Sequence, residues 1–143
     1  MTADALPYAQ GIGYQLRRTY LRLHRVFGTA TASQGITPDQ YAALWVLVQQ
    51  DGLTQRELTE LMHSDANTVS AILRLMESRR WIRRTRHTRD RRAVCVGITP
   101  LGRRTWRRID RLARRVRSRA TVGLTRREVA TLVDLLTRVY ESL

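Results

Sequence analysis

The chain has 143 residues and carries 26 basic side chains against 12 acidic ones, a formal charge of +14. With 43% apolar residues it can bury a single core of the usual size, which excludes wholesale disorder, and it lacks the about 18 uncharged apolar residues in a row that cross a membrane. Every basic residue is arginine, none is lysine, and a charge of this sign and size favours polyanions, nucleic acid before anionic membrane.

The N-terminal residues, MTADALPYAQGIGYQLRR, show no basic start followed by an apolar run, so a secretory leader is not expected. The first helical period runs through Ile12, Leu16, Tyr20, Leu23 and Phe27, in steps of three and four. Residues 28–35 read as a loop of small side chains. A second helix opens at Thr37-Pro38-Asp39-Gln40, where Thr37 caps, Pro38 suits the first turn and Gln40 completes a capping box. Its apolar face is Tyr41, Leu44, Trp45 and Leu47–Val48, and Asp51-Gly52 ends it.

Thr54-Gln55-Arg56-Glu57 repeats the box and starts a short helix with Leu58, Leu61 and Met62 inward. The next helix begins near Ser64-Asp65 and buries Val69, Ile72, Leu73 and Met76. Two short helices joined by a tight turn form a helix-turn-helix. The outer face of the second one holds Asn67, Thr68, Ser70, Ala71 and Arg74. Short hydrogen-bonding groups let a helix approach base edges, and arginine reaches guanine through two bonds.

Trp81–Thr85 and Ala93–Ile98 are β-prone runs around a polar tip, and read as a hairpin. Eight of the fourteen residues from Arg79 to Arg92 are arginine. Such a hairpin beside a helix-turn-helix makes a winged helix, whose arginine tip suits the negative potential of a narrow minor groove. Asp90 stands alone among these cations and reads as a strut that pairs with a neighbouring arginine. Thr99-Pro100 then starts a long helix with Leu101, Thr105, Ile109, Leu112 and Val116 on one side and arginines from Arg103 to Arg119 on the other. A third box, Thr125-Arg126-Arg127-Glu128, opens a last helix with Val129, Leu132, Val133, Leu136, Val139 and Tyr140 as its stripe. A terminal apolar helix on so small a domain needs a surface to cover it, and a two-fold dimer supplies one.

Leu53-Thr54-Gln55-Arg56-Glu57-Leu58, Asn67-Thr68-Val69-Ser70, and Asp90-Arg91-Arg92 through Ile98-Thr99-Pro100-Leu101-Gly102 together resemble the MarR family of bacterial transcriptional regulators. The wing signature, an Asp-x-Arg followed after a strand by Leu-Thr and then Gly, reads here as Asp90, Arg92, Ile98, Thr99 and Gly102. Three departures stand out: Arg80 where the family has glycine before the wing, Ala71 where it often has arginine, and Met76 for a usual leucine.

The resemblance implies a mainly α fold with a small β-hairpin wing, six helices in all, interlocked as a homodimer. Residues 1–143 form one domain, with dimerisation helices at about 9–31 and 100–142 and the winged helix-turn-helix at about 37–99. The implied partner is double-stranded DNA carrying a near-palindromic operator, with reading helices roughly 34–36 Å apart. By position, Asn67, Thr68, Ser70 and Arg74 face the major groove. Arg89, Arg91 and Arg92 reach the minor groove with Asp90 holding the wing. Thr54, Ser64, Arg83, Arg84 and Arg86 meet backbone phosphates.

Family members commonly release DNA when a small aromatic anion binds between the dimer helices and the reading head. Arg18 and His24 match the arginine and histidine that hold such a ligand in some aromatic-acid-responsive members, with Tyr20, Tyr41 and Trp45 as aromatic walls. Arg17, two full turns before His24, competes with Arg18 for that role. The resulting reading is a cytoplasmic repressor released by an aromatic or phenolic ligand. A non-specific architectural DNA-binding protein and a basic RNA- or ribosome-associated module remain the alternatives.

Cys95, the single cysteine, excludes an internal disulfide and reads as a buried structural thiol. His24, His63 and His87 are too scattered for a metal site, and no catalytic pair or phosphate-cradling glycine loop is evident. Neither enzyme activity nor a cofactor is expected.

Overall fold

In a computed structural model, which describes residues 10–88 and 92–143, threonine caps set four of the six helix starts. The helices are α1 (Ile12–Thr31), α2 (Pro38–Gln49), α3 (Gln55–Leu61), α4 (Ala66–Ser78), α5 (Pro100–Ala120) and α6 (Arg126–Glu141). Thr37, Thr54, Thr99 and Thr125 each accept a hydrogen bond from the backbone amide three residues on. Gln40, Glu57 and Glu128 return the bond at three of these caps, so the orphan amides of those first turns are satisfied locally.

Where a loop was expected at residues 28–35, α1 continues to Thr31 and a 3₁₀ turn follows over Ala32–Gln34. The buried Thr31 hydroxyl explains the continuation, since it reaches the carbonyls of Phe27 (3.0 Å) and Ile36 (3.1 Å) and fastens the helix end to the start of α2. Only Gly35, at φ 64°, has the left-handed backbone that ends this segment.

Strands β1 (Leu53–Thr54), β2 (Ile82–Arg86) and β3 (Val94–Ile98) form an antiparallel sheet in the order β1-β3-β2. The hairpin pairs Ile82 with Ile98 and Arg86 with Val94. The two-residue β1, absent from the sequence reading, pairs Leu53 with Val96 and closes the sheet's other edge. Cys95 sits on β3 and is half-buried rather than fully enclosed.

The core lies where this sheet meets α2 through α5. Leu44 and Leu47 of α2, Leu58 of α3, Val69, Leu73 and Met76 of α4, Val96 of β3 and Ile109 of α5 are wholly inaccessible. Asp51 joins three elements here: its carboxylate accepts from the Ile98 amide (2.9 Å) and from the Arg103 guanidinium (3.0 Å) just after α2 ends. No residue of α6 is buried.

Candidate nucleic-acid interface

The reading face is built on the turn between α3 and α4. His63 takes a left-handed conformation (φ 49°) there. Asp65, not Ser64, is the cap of α4: its carboxylate accepts from the Thr68 amide (2.9 Å) and hydroxyl (2.6 Å). These bonds, the hydroxyl's foremost, hold the Asp65 carboxyl below the usual carboxylate range. Ser64, expected as a cap, instead gives its amide to the Thr59 carbonyl (3.2 Å).

From that start α4 turns Val69, Ile72, Leu73 and Met76 into the core and leaves Asn67, Thr68, Ala71 and Arg74 exposed, with Ser70 half-buried. The Thr68 hydroxyl already donates to Asp65. Asn67, Ser70 and Arg74 keep their side chains free of bonds to the described residues.

Of the arginines expected at phosphates, Arg84 is engaged elsewhere. Its guanidinium bonds Glu77 on α4 through Nη2 (2.6 Å) and Nε (2.9 Å), which lowers the Glu77 carboxyl's pKa. This pair fixes β2 against the end of α4. Arg89, Asp90 and Arg91 lie outside the described residues. Arg83 and Arg86 project from β2 into solvent, without a side-chain partner among the described residues, and Arg92 is exposed at the hairpin. Thr54, also expected at a phosphate, gives both its amide (2.8 Å) and its hydroxyl (2.7 Å) to Glu57.

The wing's base is tightly made. Arg79 donates to the Gly35 carbonyl and its guanidinium stacks over the Trp81 ring at 4.9 Å. Arg80 takes φ 59°, the backbone that the missing glycine would have adopted without strain. The Thr99 hydroxyl reaches the carbonyls of Arg80 (2.6 Å) and Trp81 (3.0 Å). Gly102 is obligatory here, since a Cβ would stand 2.0 Å from the Trp81 carbonyl oxygen.

Between α1, α2 and α5 lies a mostly apolar slot of about 170 Å³, lined by Tyr20, Leu23, His24, Phe27, Pro38, Tyr41, Ala113, Val116 and Arg117. It gathers three of the five residues expected to hold a ligand. Trp45 is half-exposed and lines none of it. Arg18 turns to the other flank of α1, lying 5.7 Å from the Tyr14 ring and lining a wider, open hollow with Arg22, Arg25 and Arg119. The six-residue step from Arg18 to His24 is more than a turn and a half, which sets the two side chains on different flanks of α1; the hollow beside Arg18 and the slot beside His24 share Leu23 and Val116.

The slot's arginine is Arg117, which comes from α5. Its Nη1 donates to the Tyr41 hydroxyl (3.3 Å) and its Nη2 to Asp110 (3.2 Å). Asp110 is buried and also accepts from the Tyr41 hydroxyl (2.9 Å) and Arg114 Nε (2.7 Å). Burial by itself would raise the Asp110 pKa, but these three donors outweigh it and the carboxyl sits below its ordinary value. Burial raises the pKa of Tyr41, which stays a neutral phenol. Sequence reasoning missed this cluster, though it had a signal: Asp110 is the one acid among the nine arginines of residues 100–120.

Residues 36–94 match the MarR family. Over 130 residues, 90% of this chain and 78% of the relative, the sequence is 32% identical to a transcriptional regulatory protein assigned to the hcr operon of Thauera aromatica. The chain belongs to the MarR family. As a member it is a DNA-binding transcriptional regulator. Its fold also superposes on the transcriptional repressor CouR bound to a 23-mer DNA duplex, with TM-score 0.88, 28% identity, and 98% and 99% of the two chains covered. The PcaV transcriptional regulator from Streptomyces coelicolor, solved with its natural ligand, gives TM-score 0.86 and 27% identity over 99% and 98%. No helix among the described residues is long and apolar enough to cross a membrane.

Proposed function

We propose that this MarR-family protein is a homodimeric repressor that reads a near-palindromic operator in the bacterial cytoplasm and lets go when a single-ring aromatic anion enters the α1–α2–α5 slot. The observation that carries the DNA reading is the outer face of α4, where Asn67, Ser70 and Arg74 are unengaged beside the arginines of β2. These three meet base edges. Ser64, Arg83 and Arg86 take phosphates, and Arg92, with Arg89 and Arg91, enters the minor groove. The CouR–DNA complex supports this docking.

Dimerisation falls to the helices outside the reading unit, and among them to the apolar faces of α1 and α6. Ile12, Leu16 and Tyr20 of α1 and Leu132, Val133 and Leu136 of α6 are exposed apolar side chains, an unusual density for a surface facing water. Selection of bound sites from random duplexes by the purified protein tests both claims: an enriched two-fold sequence is expected, and enrichment of no sequence overturns the reading.

The slot suits an aromatic ring through Tyr20, Phe27 and Tyr41, and Arg117, beyond the two N–H groups it gives to Tyr41 and Asp110, has three more with which to meet a carboxylate. At about 170 Å³ it is smaller than sites for drug-sized ligands, so one ring fits. The ligand-bound PcaV structure supports an effector role for this class of fold. Thermal-shift titration with benzoic and phenolic acids is expected to stabilise the wild type and Arg18→Ala but not Arg117→Ala. Stabilisation of Arg117→Ala equal to wild type removes the slot from the mechanism.

A further inference from the structure

Helix α5 carries nine arginines, and the structure divides them. Arg103 pairs with Asp51, and Arg114 and Arg117 share Asp110, so most of the charge of one flank is offset within the fold. Arg119, in the last turn, lines the open hollow beside Arg18. Arg104, Arg107, Arg108, Arg111 and Arg115 are exposed and have no side-chain partner among the described residues. At 3.6 residues per turn these five fall within about one third of the helix circumference, opposite the buried Thr105, Ile109, Ala113 and Val116. From Arg104 to Arg115 they form a ribbon about 16 Å long, the axial length of about five base pairs. None of the groups proposed to read DNA belongs to it.

We propose that this ribbon is a second binding surface for the phosphate backbone of double-stranded DNA, separate from the α4–wing reading head. Five like charges held side by side repel one another, and only a dense polyanion relieves that along the whole length. Arginine suits phosphate specifically, because its planar fork gives two parallel bonds to the oxygens.

The composition of the face argues against other occupants. A protein partner is recognised by a core of aromatic and aliphatic anchors, and this arc offers none. Single-stranded nucleic acid needs aromatic platforms for its bases, and those are missing too. A membrane would require the helix's apolar side, which is packed into the core. A second copy of the chain is served by the exposed apolar residues of α1 and α6, not by a face of its own charge.

The protein is thereby fitted to hold two stretches of duplex at once, one read and one merely gripped. The test uses two populations of random-sequence 30-base-pair duplex, one carrying a fluorescence donor and the other an acceptor, mixed with the full-length protein. Energy transfer reports bridging, and anisotropy of one labelled duplex reports simple binding.

The quadruple variant Arg104→Gln, Arg108→Gln, Arg111→Gln and Arg115→Gln is expected to melt within a few degrees of wild type, since none of the four makes a bond within the described fold. It is expected to bind one duplex within about threefold of wild-type affinity and to lose the transfer signal. The variant Arg74→Gln with Arg83→Gln and Arg86→Gln is expected to weaken simple binding instead. If this second variant binds as wild type does, the reading-head assignment fails, whatever the ribbon does. Undiminished transfer in the quadruple variant, no transfer in wild type, or suppression of transfer by polyglutamate at the concentration where duplex competitor acts, overturns the ribbon proposal.

Discussion

Helices α4 and α6 are both amphipathic and of similar length, 13 and 16 residues, yet α4 buries Val69, Ile72, Leu73 and Met76 while α6 buries nothing. The stripe of α4 is used up inside its own chain, against α2, α3 and the sheet. That of α6, with Leu132, Val133, Leu135 and Leu136 between 39% and 58% exposed, is left over. Amphipathic periodicity therefore says that a helix has something to cover, and not whether the cover comes from the same chain. Here the reading unit is complete in one chain, and the terminal arm awaits a second.

The sharpest way to break this contrast is to spoil α6. Leu132→Asp with Leu136→Asp should give a monomer in light scattering at micromolar concentration. Its affinity for a two-fold operator should fall about 10²–10⁴-fold, the usual gain from joining two binding modules. If the double variant stays dimeric, the exposed stripe is not the interface.

On the other side of the comparison, Leu73→Ala should cost about 2–5 kcal/mol in denaturant unfolding, as deletions from fully packed cores do. In the monomeric α6 background, Leu135→Ala should change stability by less than about 0.5 kcal/mol. Equal losses at the two positions would erase the distinction between the helices.

Asp110→Asn should cost about 1–3 kcal/mol near neutral pH, because Tyr41, Arg114 and Arg117 lose a charged acceptor. The sign with pH follows from the lowered pKa of the folded carboxyl. Its contribution is complete above the unfolded value, about 3.9, and disappears as pH falls through the lower folded value. The wild type should therefore lose its advantage over the variant below about pH 4, and a gap that persists at lower pH would refute the carboxylate's role. The smallest effect is a gain. Arg80→Gly relieves a left-handed arginine and should raise stability by about 0.5–1 kcal/mol, less whatever the glycine adds to unfolded-chain entropy. A loss measured by thermal melting would show that the Arg80 side chain contributes more than its backbone costs.

What could be read from the sequence was local. The Thr37, Thr54, Thr99 and Thr125 caps, the pair of short helices and the hairpin depend on residues within about four positions or on simple alternation. The family's wing pattern, read from Asp90 to Gly102, supplied the rest of the architecture. What could not be read was set by distance along the chain. Arg117 reaches Tyr41 across 76 residues and Arg103 reaches Asp51 across 52, and no periodicity carries such pairings. Arg18 was expected at the ligand through the family resemblance, whereas it lies beside Tyr14 and lines the neighbouring hollow. The Arg84–Glu77 pair was hidden for a simpler reason: among so many arginines, nothing in their order marks the one with an internal partner.

Gly102 carries a consequence for motion. With the Gly102 backbone against the Trp81 carbonyl, and Thr99 bonded to the two residues before β2, the junction between the hairpin and α5 is pinned on both sides. On the proposed mechanism, a shift of α5 at Arg117, some four turns along the same helix, would be passed to the hairpin as the swing of a stiff lever. A substitution as modest as Gly102→Ala would force the lever from its socket, and on the proposed mechanism should uncouple effector binding from DNA release even where each still occurs.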